Sequence, residues 1–388
     1  MDKKNIPERI VNIALPKMGE EEWLATREPI ESGWLTQGPK VAEFEKKFSA
    51  YHDVSHSLAT TSCTTSLHLA LLAVGVGPGD EVILPSFTWV STANAVIYCG
   101  AKPILCDVDP ITFNIDIASA ISKITKKTKA IMAVHLFGLC ADIDALRKNI
   151  RDDIFIIEDA ACAAGAIYKE NFAGSLGDAA CFSFHPRKSI ACGEGGMLTT
   201  NDSSIAAKAE VLRNHGASIS EEQRHIGPQP WLLPDFDHLG FNYRMTDLQA
   251  SIASVQLEKL ETFINERASM AEKYRLMLSD IPWLKTPKEP NEGRHAWQAF
   301  VTKLDPNIAP ISRNELMAGL HEYGVSTRPG THAIHMLGFY KKTFDHQPED
   351  FPAAKSCEHG TMAIPLHNKM NADDIDYVVS MIKKVAND

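Results

Sequence analysis

Ile154-Phe155-Ile156-Ile157-Glu158-Asp159 is an apolar run closed by two carboxylates, and Lys188 follows 29 positions after Asp159. That lysine stands in Phe182-Ser183-Phe184-His185-Pro186-Arg187-Lys188-Ser189-Ile190-Ala191-Cys192-Gly193-Glu194-Gly195-Gly196. The first run has the length and bulk of a buried strand. A carboxylate at its end is costly unless a partner meets it. The second stretch presents an amine between a short strand and a glycine-rich turn. A lysine alone says little, because most of the 39 lysines and arginines must be solvated. The order carboxylate, amine, glycine turn is what a pyridoxal phosphate (PLP) site requires. The amine forms the Schiff base and the carboxylate keeps the ring nitrogen protonated, so that the ring accepts electrons.

Outward from this pair, strands alternate with helices. Strands are expected at Ser57–Thr60, Glu81–Pro85, Lys102–Val108, Ala130–His135 and Ile154–Asp159, with two more at 178–184 and 197–200 flanking the Lys188 loop. Helices are expected from about Thr65 to Val74, closed by Gly75, and from Ser91 to Cys99. Such alternation predicts an α/β fold with a mostly parallel sheet covered by helices on both faces. Leu248, Ile252, Val255, Leu257, Leu260 and Ile264 keep the 3.6-residue period, which predicts one long helix over 245–277. It leads to a smaller C-terminal α/β domain entered at Pro282–Pro290 and ended by a helix near 372–385. The expected division is an N-terminal arm over 1–20, a large domain over 21–255 and a small domain over 256–388.

The bulk numbers restrict partners. The 388 residues are 44% hydrophobic and 23% charged, with a net charge of −10. That balance disfavours nucleic acid and anionic membrane as main partners. No run is long and apolar enough to span a bilayer, and Met1–Arg9 has no apolar core of a secretory signal. The eight cysteines show no Cys-x-x-Cys spacing. A reduced, cytoplasmic chain without structural zinc is expected.

In parallel sheets, ligands bind at the carboxyl ends of the strands. Asp159, Pro85-Ser86-Phe87-Thr88-Trp89 and Thr60-Thr61-Ser62-Cys63-Thr64 all fall at such ends. The turn through Ser62 and Cys63 enters a helix, whose free N–H groups suit a phosphate; plain N-capping by Thr64 or Thr65 is the other reading. Asp159 is either the ring partner or a cap for the Ala160-Ala161-Cys162-Ala163-Ala164 stretch. Trp89 is either a lid stacked on a flat ring or an ordinary core tryptophan. Ser183, five residues before Lys188, is within reach of a phosphate. Neither Gly-x-Gly-x-x-Gly nor Gly-Lys-Ser/Thr follows the first strand, which weakens dinucleotide and nucleoside triphosphate readings.

These pieces, in this order, resemble the DegT/StrS family of sugar aminotransferases. The resemblance runs from Ser32-Gly33-Trp34-Leu35-Thr36-Gln37-Gly38-Pro39 through Gly100-Ala101-Lys102-Pro103, Glu158-Asp159-Ala160-Ala161 and Gly174-Ser175-Leu176-Gly177-Asp178-Ala179. It ends at Gly240-Phe241-Asn242-Tyr243-Arg244-Met245 and Pro365-Leu366-His367. It implies a PLP-dependent transferase of fold type I, acting as a homodimer with shared active sites. Lys188 becomes the Schiff-base lysine and proton carrier, and Asp159 the partner of the pyridine nitrogen. Trp89 covers the ring, and Ser62, Cys63 and Ser183 serve the phosphate. Asn242 serves the phosphate of the partner subunit's cofactor. His185, Arg328 and His332 fall where the family contacts substrate; Arg328 precedes a Pro329-Gly330 pair that reads as a tight turn. The implied reaction moves an amino group from an amino acid, by resemblance glutamate, to a nucleotide-linked keto sugar, a free keto sugar or a sugar acid. Two departures stand out: Cys162 replaces the usual His or Gln near the ring, and Cys63 replaces a glycine in the phosphate turn. A dehydratase or PLP-binding regulator of the same fold is the alternative, though dehydratases of the family carry histidine where this chain has Lys188. A nicotinamide oxidoreductase would share the parallel sheet.

Overall fold

The computed structural model describes residues 9–217, 231 and 233–387. Seven strands form the main sheet: β1 (His56–Thr60), β2 (Glu81–Pro85), β3 (Lys102–Cys106), β4 (Thr128–Val134), β5 (Phe155–Asp159), β6 (Ala179–Ser183) and β7 (Gly196–Thr200). Their order is β1-β7-β6-β5-β4-β2-β3. The pairs β3–β2, β2–β4, β4–β5 and β5–β6 are parallel, while β7 runs antiparallel to both β6 and β1. The expected parallel sheet is therefore present, with one reversed strand created by the short return after the Lys188 loop. The strand expected to reach Val108 ends at Cys106, because the chain turns back at Asp107 and Val108 bridges Ile115.

Helices cover both faces. Helix α1 (Pro39–His52) packs Phe44 and Phe48 against Phe182 and Phe184, edge to face at ring separations of 5.0–5.7 Å. Helix α2 (Cys63–Ala73) is buried on consecutive positions from Ser66 to Leu71, so it is enclosed all round rather than amphipathic. It starts two residues before the expected Thr65, because Ser62 is the cap: its Oγ accepts from Thr65 N at 3.2 Å. Val74 follows its last turn, and Gly75 reverses the chain with φ +81°. Helix α3 (Ser91–Tyr98) follows β2.

The expected long helix is two: α4 (Asp247–Glu258) and α5 (Leu260–Met277). Hydrophobic period alone could not show the break. At Lys259 the amide turns to Gln256 O, three residues back, at 3.2 Å, and the ammonium is drawn to Glu21 and Glu22 of the helix Glu20–Ala25. A second sheet, in order β8-β9-β11-β10, contains β8 (Leu284–Lys285), β9 (Phe300–Leu304), β10 (Arg328–Pro329) and β11 (Thr361–Ile364). Helices α5, α6 (Arg313–Glu322) and α7 (Ala372–Asn387) close its core around Tyr274, Leu316 and Leu320. Helix α7 buries Ile375, Val378, Val379 and Ile382, one stripe at helical spacing. Arg328 and Pro329, the latter the first residue of the expected Pro329-Gly330 turn, form an edge strand paired with Ala363 and Met362; an edge tolerates the missing proline N–H. A few residues on, His332–Ala333 pairs with Phe87–Thr88, the short strand after β2. The second sheet is thereby stitched to the main one at the mouth of the site. Among the described residues no helix is long and apolar enough to cross a membrane.

Candidate active site

The sheet register assembles the site. Thr60 of β1, Gly196 of β7 and Ser183 of β6 lie side by side across three strands. A Cβ on Gly196 would sit 2.4 Å from Ser62 C and 2.6 Å from Cys63 N. Only glycine allows the turn into α2 to lie this close to the strand that returns from the lysine loop. The cradle therefore consists of the α2 N-terminus with Ser183 beside it. Cys63 is an ordinary first helical residue and lacks a positive φ. The turn needs no glycine there, so its backbone donors survive the Gly-to-Cys departure.

Two register positions back along β6, Val134, Asp159 and Cys181 form another row, across β4, β5 and β6. Asp159 is 4% exposed. Its Oδ2 accepts from Thr92 Oγ1 at 2.7 Å and its Oδ1 from Ala161 N at 3.2 Å. The Ala160–Ala164 stretch forms turns, not a helix, so Asp159 caps no helix. Burial pushes its carboxyl above the ordinary aspartate value, against Thr92, the Ala161 amide and the Lys188 charge. A cationic N–H donor at this carboxylate would restore its ionisation.

Lys188 reaches the same spot from the other side. Its Nζ donates to Cys162 Sγ at 3.2 Å. Burial works to lower its pKa, but Cys162, Cys63 and Asp159 together leave the ammonium raised. The loop that carries it is fixed at several points. Lys188 N donates to His185 O at 2.8 Å, and Gln298 Nε2 from the second-sheet side holds Arg187 O at 2.8 Å. Phe184 and Cys192 close its base by exchange with Gly195 and each other. His185 turns its Nδ1 to the Arg187 amide at 3.3 Å, and burial lowers its pKa. Cys63, 4.0 Å from Asp159 Oδ1, is pushed far up by burial and remains a thiol.

Trp89 is 57% exposed, so it is not a core residue, and its ring lies 5.6 Å from that of His332. The pairing of Phe87–Thr88 with His332–Ala333 brings these two together. Arg328 and Asn242 stand apart from these contacts and are exposed; Asn242 bridges Asn214 through the backbone.

Three supports escaped the sequence. Thr92 holds Asp159 from the first turn of α3, and nothing in Ser91-Thr92-Ala93 signals it. Gly196 could have been suspected from the Gly195-Gly196 pair. Glu158 looked like a mere neighbour of Asp159, yet it is the hub beneath it. It accepts from Gly174, Leu176 and Gly177 amides at 2.7–2.8 Å and pairs with His135.

A parallel sheet with a buried carboxylate, an enclosed lysine and a helix-terminal cradle at its strand ends defines the class: a PLP-dependent transaminase of fold type I. The chain belongs to the DegT/DnrJ/EryC1/StrS aminotransferase family, whose model matches residues 16–383. It is 39% identical over 96% of its length to the spore coat polysaccharide biosynthesis protein SpsC of Bacillus subtilis, of which 96% is covered. It is 38% identical over 97% of its length to GDP-perosamine synthase of Caulobacter vibrioides, of which 98% is covered. The crystal structure of the aminotransferase TlmJ from Streptoalloteichus hindustanus superposes with a TM-score of 0.88 at 30% identity, covering 97% of this chain and 99% of that one. The protein is a sugar aminotransferase that uses PLP.

Proposed function

We propose that this chain aminates a nucleotide-linked keto sugar with an amino group taken from glutamate, in the making of a surface polysaccharide or another amino sugar. The supporting observation is the convergence of Lys188 and Asp159 on one enclosed spot beside the Ser62–Gly196 cradle. The name of one relative carries a GDP-linked sugar and that of another a spore coat polysaccharide, which favours the nucleotide-linked substrate over a free keto sugar or sugar acid.

When bound, PLP accepts the electron pair of the bond broken beside the substrate nitrogen. The residues of this chain do the rest. Asp159 receives the ring N–H and keeps the ring cationic, with Thr92 fixing the carboxylate's rotation. The first amides of α2, with Ser62 and Ser183, receive the phosphate at the positive end of the helix dipole. Trp89, backed by His332, would cover the ring. Lys188 would hold the cofactor at rest and, once displaced, would serve as the base that takes the proton from the donor's α-carbon in one half-reaction and as the acid that protonates the new amine carbon in the other. Cys162 occupies the place of the ring-hydroxyl partner and meets the lysine instead. Arg328, His185 and His332 line the approach of the sugar, where the Arg328 guanidinium suits a phosphate or carboxylate.

The second copy of the chain is part of this reading. Asn242 is exposed and would reach the partner's phosphate, and exposed Trp23, Ile30 and Leu35 near the chain start would be covered by that copy. All eight cysteines are free, in keeping with a reducing cytoplasm.

The test is Lys188→Ala. It should leave the protein folded and abolish the absorbance change on adding glutamate, as well as amino-sugar product by mass spectrometry. Product formed at near parental rates without added amine would end this reading. A dehydratase or a regulator would give no amino sugar from any keto sugar supplied with glutamate.

A further inference from the structure

Cys162 and Cys140 are the two cysteines of this chain that are not fully buried. Burial pushes the Cys140 thiol up, as it does Cys63, Cys99, Cys106, Cys181, Cys192 and Cys357. Cys162 differs in its neighbour: the Lys188 ammonium donates to its sulfur at 3.2 Å. A half-exposed sulfur is open to peroxides, which take it first to a sulfenic acid. The same amine touches that sulfur, and it sits on a flexible four-carbon stem.

We propose that Cys162 and Lys188 are an oxidative modification site, at which a hydroperoxide joins Sγ to Nζ through a reversible covalent bond and withdraws the amine that the cofactor needs. The step balances. The Cys162 thiolate attacks one peroxide oxygen, the O–O bond breaks, and a sulfenic acid and hydroxide result. The hydroxide takes a proton from the Lys188 ammonium and leaves as water, freeing the amine. The amine attacks sulfur, the S–O bond breaks, and the departing hydroxide takes the second nitrogen proton as a second water. Sulfur has lost two electrons and the peroxide has gained them. The chain ends two hydrogens lighter. A dithiol restores both side chains by attacking sulfur, breaking S–N and closing its own disulfide. The bond forms only when the amine is free, so the state with the cofactor held by Lys188 is protected. The protection rests on the functional reading above; the cross-link itself needs only the two side chains.

The experiment treats cofactor-free protein with hydrogen peroxide, digests it without reductant and maps peptides by mass spectrometry. The expected product is a linked pair of peptides, one holding Cys162 and the other Lys188, two hydrogens below their summed mass and absent after dithiothreitol. It should fall at least tenfold in Cys162→Ser and in Lys188→Arg. Rebinding of PLP by reduced parent protein shows that the fold survived the treatment. Cys162 recovered only as sulfinic or sulfonic acid, or unmodified, with no linked pair, overturns the proposal. The same treatment of PLP-loaded protein should give at least tenfold less linked product. Equal amounts there would leave the cross-link standing and remove Lys188 from its cofactor role, so the two failures are distinguishable.

Discussion

His135 Nε2 lies 2.8 Å from Glu158 Oε2, and both side chains are wholly buried directly beneath Asp159. The Ala141 amide donates to the other ring nitrogen, Nδ1, at 3.0 Å, so Nε2 carries the hydrogen and donates to the carboxylate. His135 N also holds the Asp159 carbonyl at 3.0 Å. The carboxylate that meets the cofactor thus stands on a second carboxylate that is fully satisfied by three amides and an imidazole. Such a network fixes the strand end that aims Asp159.

Glu158→Ala should be among the most damaging single changes outside the reacting groups. It strands the buried Gly174 amide, the half-buried Leu176 and Gly177 amides and a buried imidazole N–H at once. Removing one partner of a buried charged network costs roughly 3–5 kcal/mol. Thermal unfolding should show a fall of several degrees in Tm for the cofactor-free protein. An unchanged Tm would mean that water replaces the carboxylate and that the network is not a support.

Asp159→Asn should separate stability from catalysis, with a sign set by pH. Burial raises the Asp159 pKa in the folded, cofactor-free chain. The folded state then holds its proton more tightly than the unfolded one, so stability contributed by this group falls as pH rises from the ordinary aspartate value through the raised one. Above that window the cofactor-free Asn variant should be the more stable protein, and below it the two should converge. PLP should reverse the order at neutral pH, because only the carboxylate compensates the protonated ring. Activity of the Asn variant should be lost in both half-reactions. Tm against pH, with and without PLP, reads all of this.

Gly196→Ala should act on the phosphate cradle. The new methyl would collide with Ser62 C, Ser62 O and Cys63 N, all backbone atoms that cannot swing aside. The turn into α2 must move away from Ser183. Losing one charge-assisted hydrogen bond to phosphate costs roughly 1.5–3 kcal/mol, so PLP affinity should fall about tenfold or more. Equilibrium dialysis against PLP measures it. Parental affinity would place the phosphate elsewhere.

Much of this arrangement is legible in the sequence, because strand ends announce themselves. Ile154–Asp159 and Phe182–Gly196 carry the carboxylate, the amine and the turn in chain order. What stayed hidden is what only three-dimensional register reveals. Thr92 finds Asp159 across 67 positions, and Gly196 meets Ser62 across β1 and β7. The break at Lys259 escapes for the same reason: its cause is a pair of glutamates near the chain start. The expected turn at Pro329-Gly330 gives way to an edge strand over Arg328–Pro329, because pairing with β11 decides the backbone there.

Asn242 should act in trans. It is exposed, and its loop is anchored through the backbone to Asn214, at the end of the helix Ser203–Arg213. Its exposed side chain fits a group offered to a second copy. Asn242→Asp places a negative charge where a phosphate would sit, so it should be inactive through repulsion while remaining folded. Lys188→Ala should be inactive for a different reason, on the other side of the same shared site. When the two variants exchange subunits, one site of each mixed dimer carries both lesions and the other carries neither. Mixing should therefore restore activity that neither variant has alone, up to about a quarter of the parent if pairing is random, half the dimers being mixed and half their sites intact. Subunit exchange verified by mass spectrometry with no recovered activity would show that Asn242 serves its own chain. Recovery at a fixed ratio, independent of total protein once dimers are saturated, would tie the intact site to one interface rather than to higher assembly.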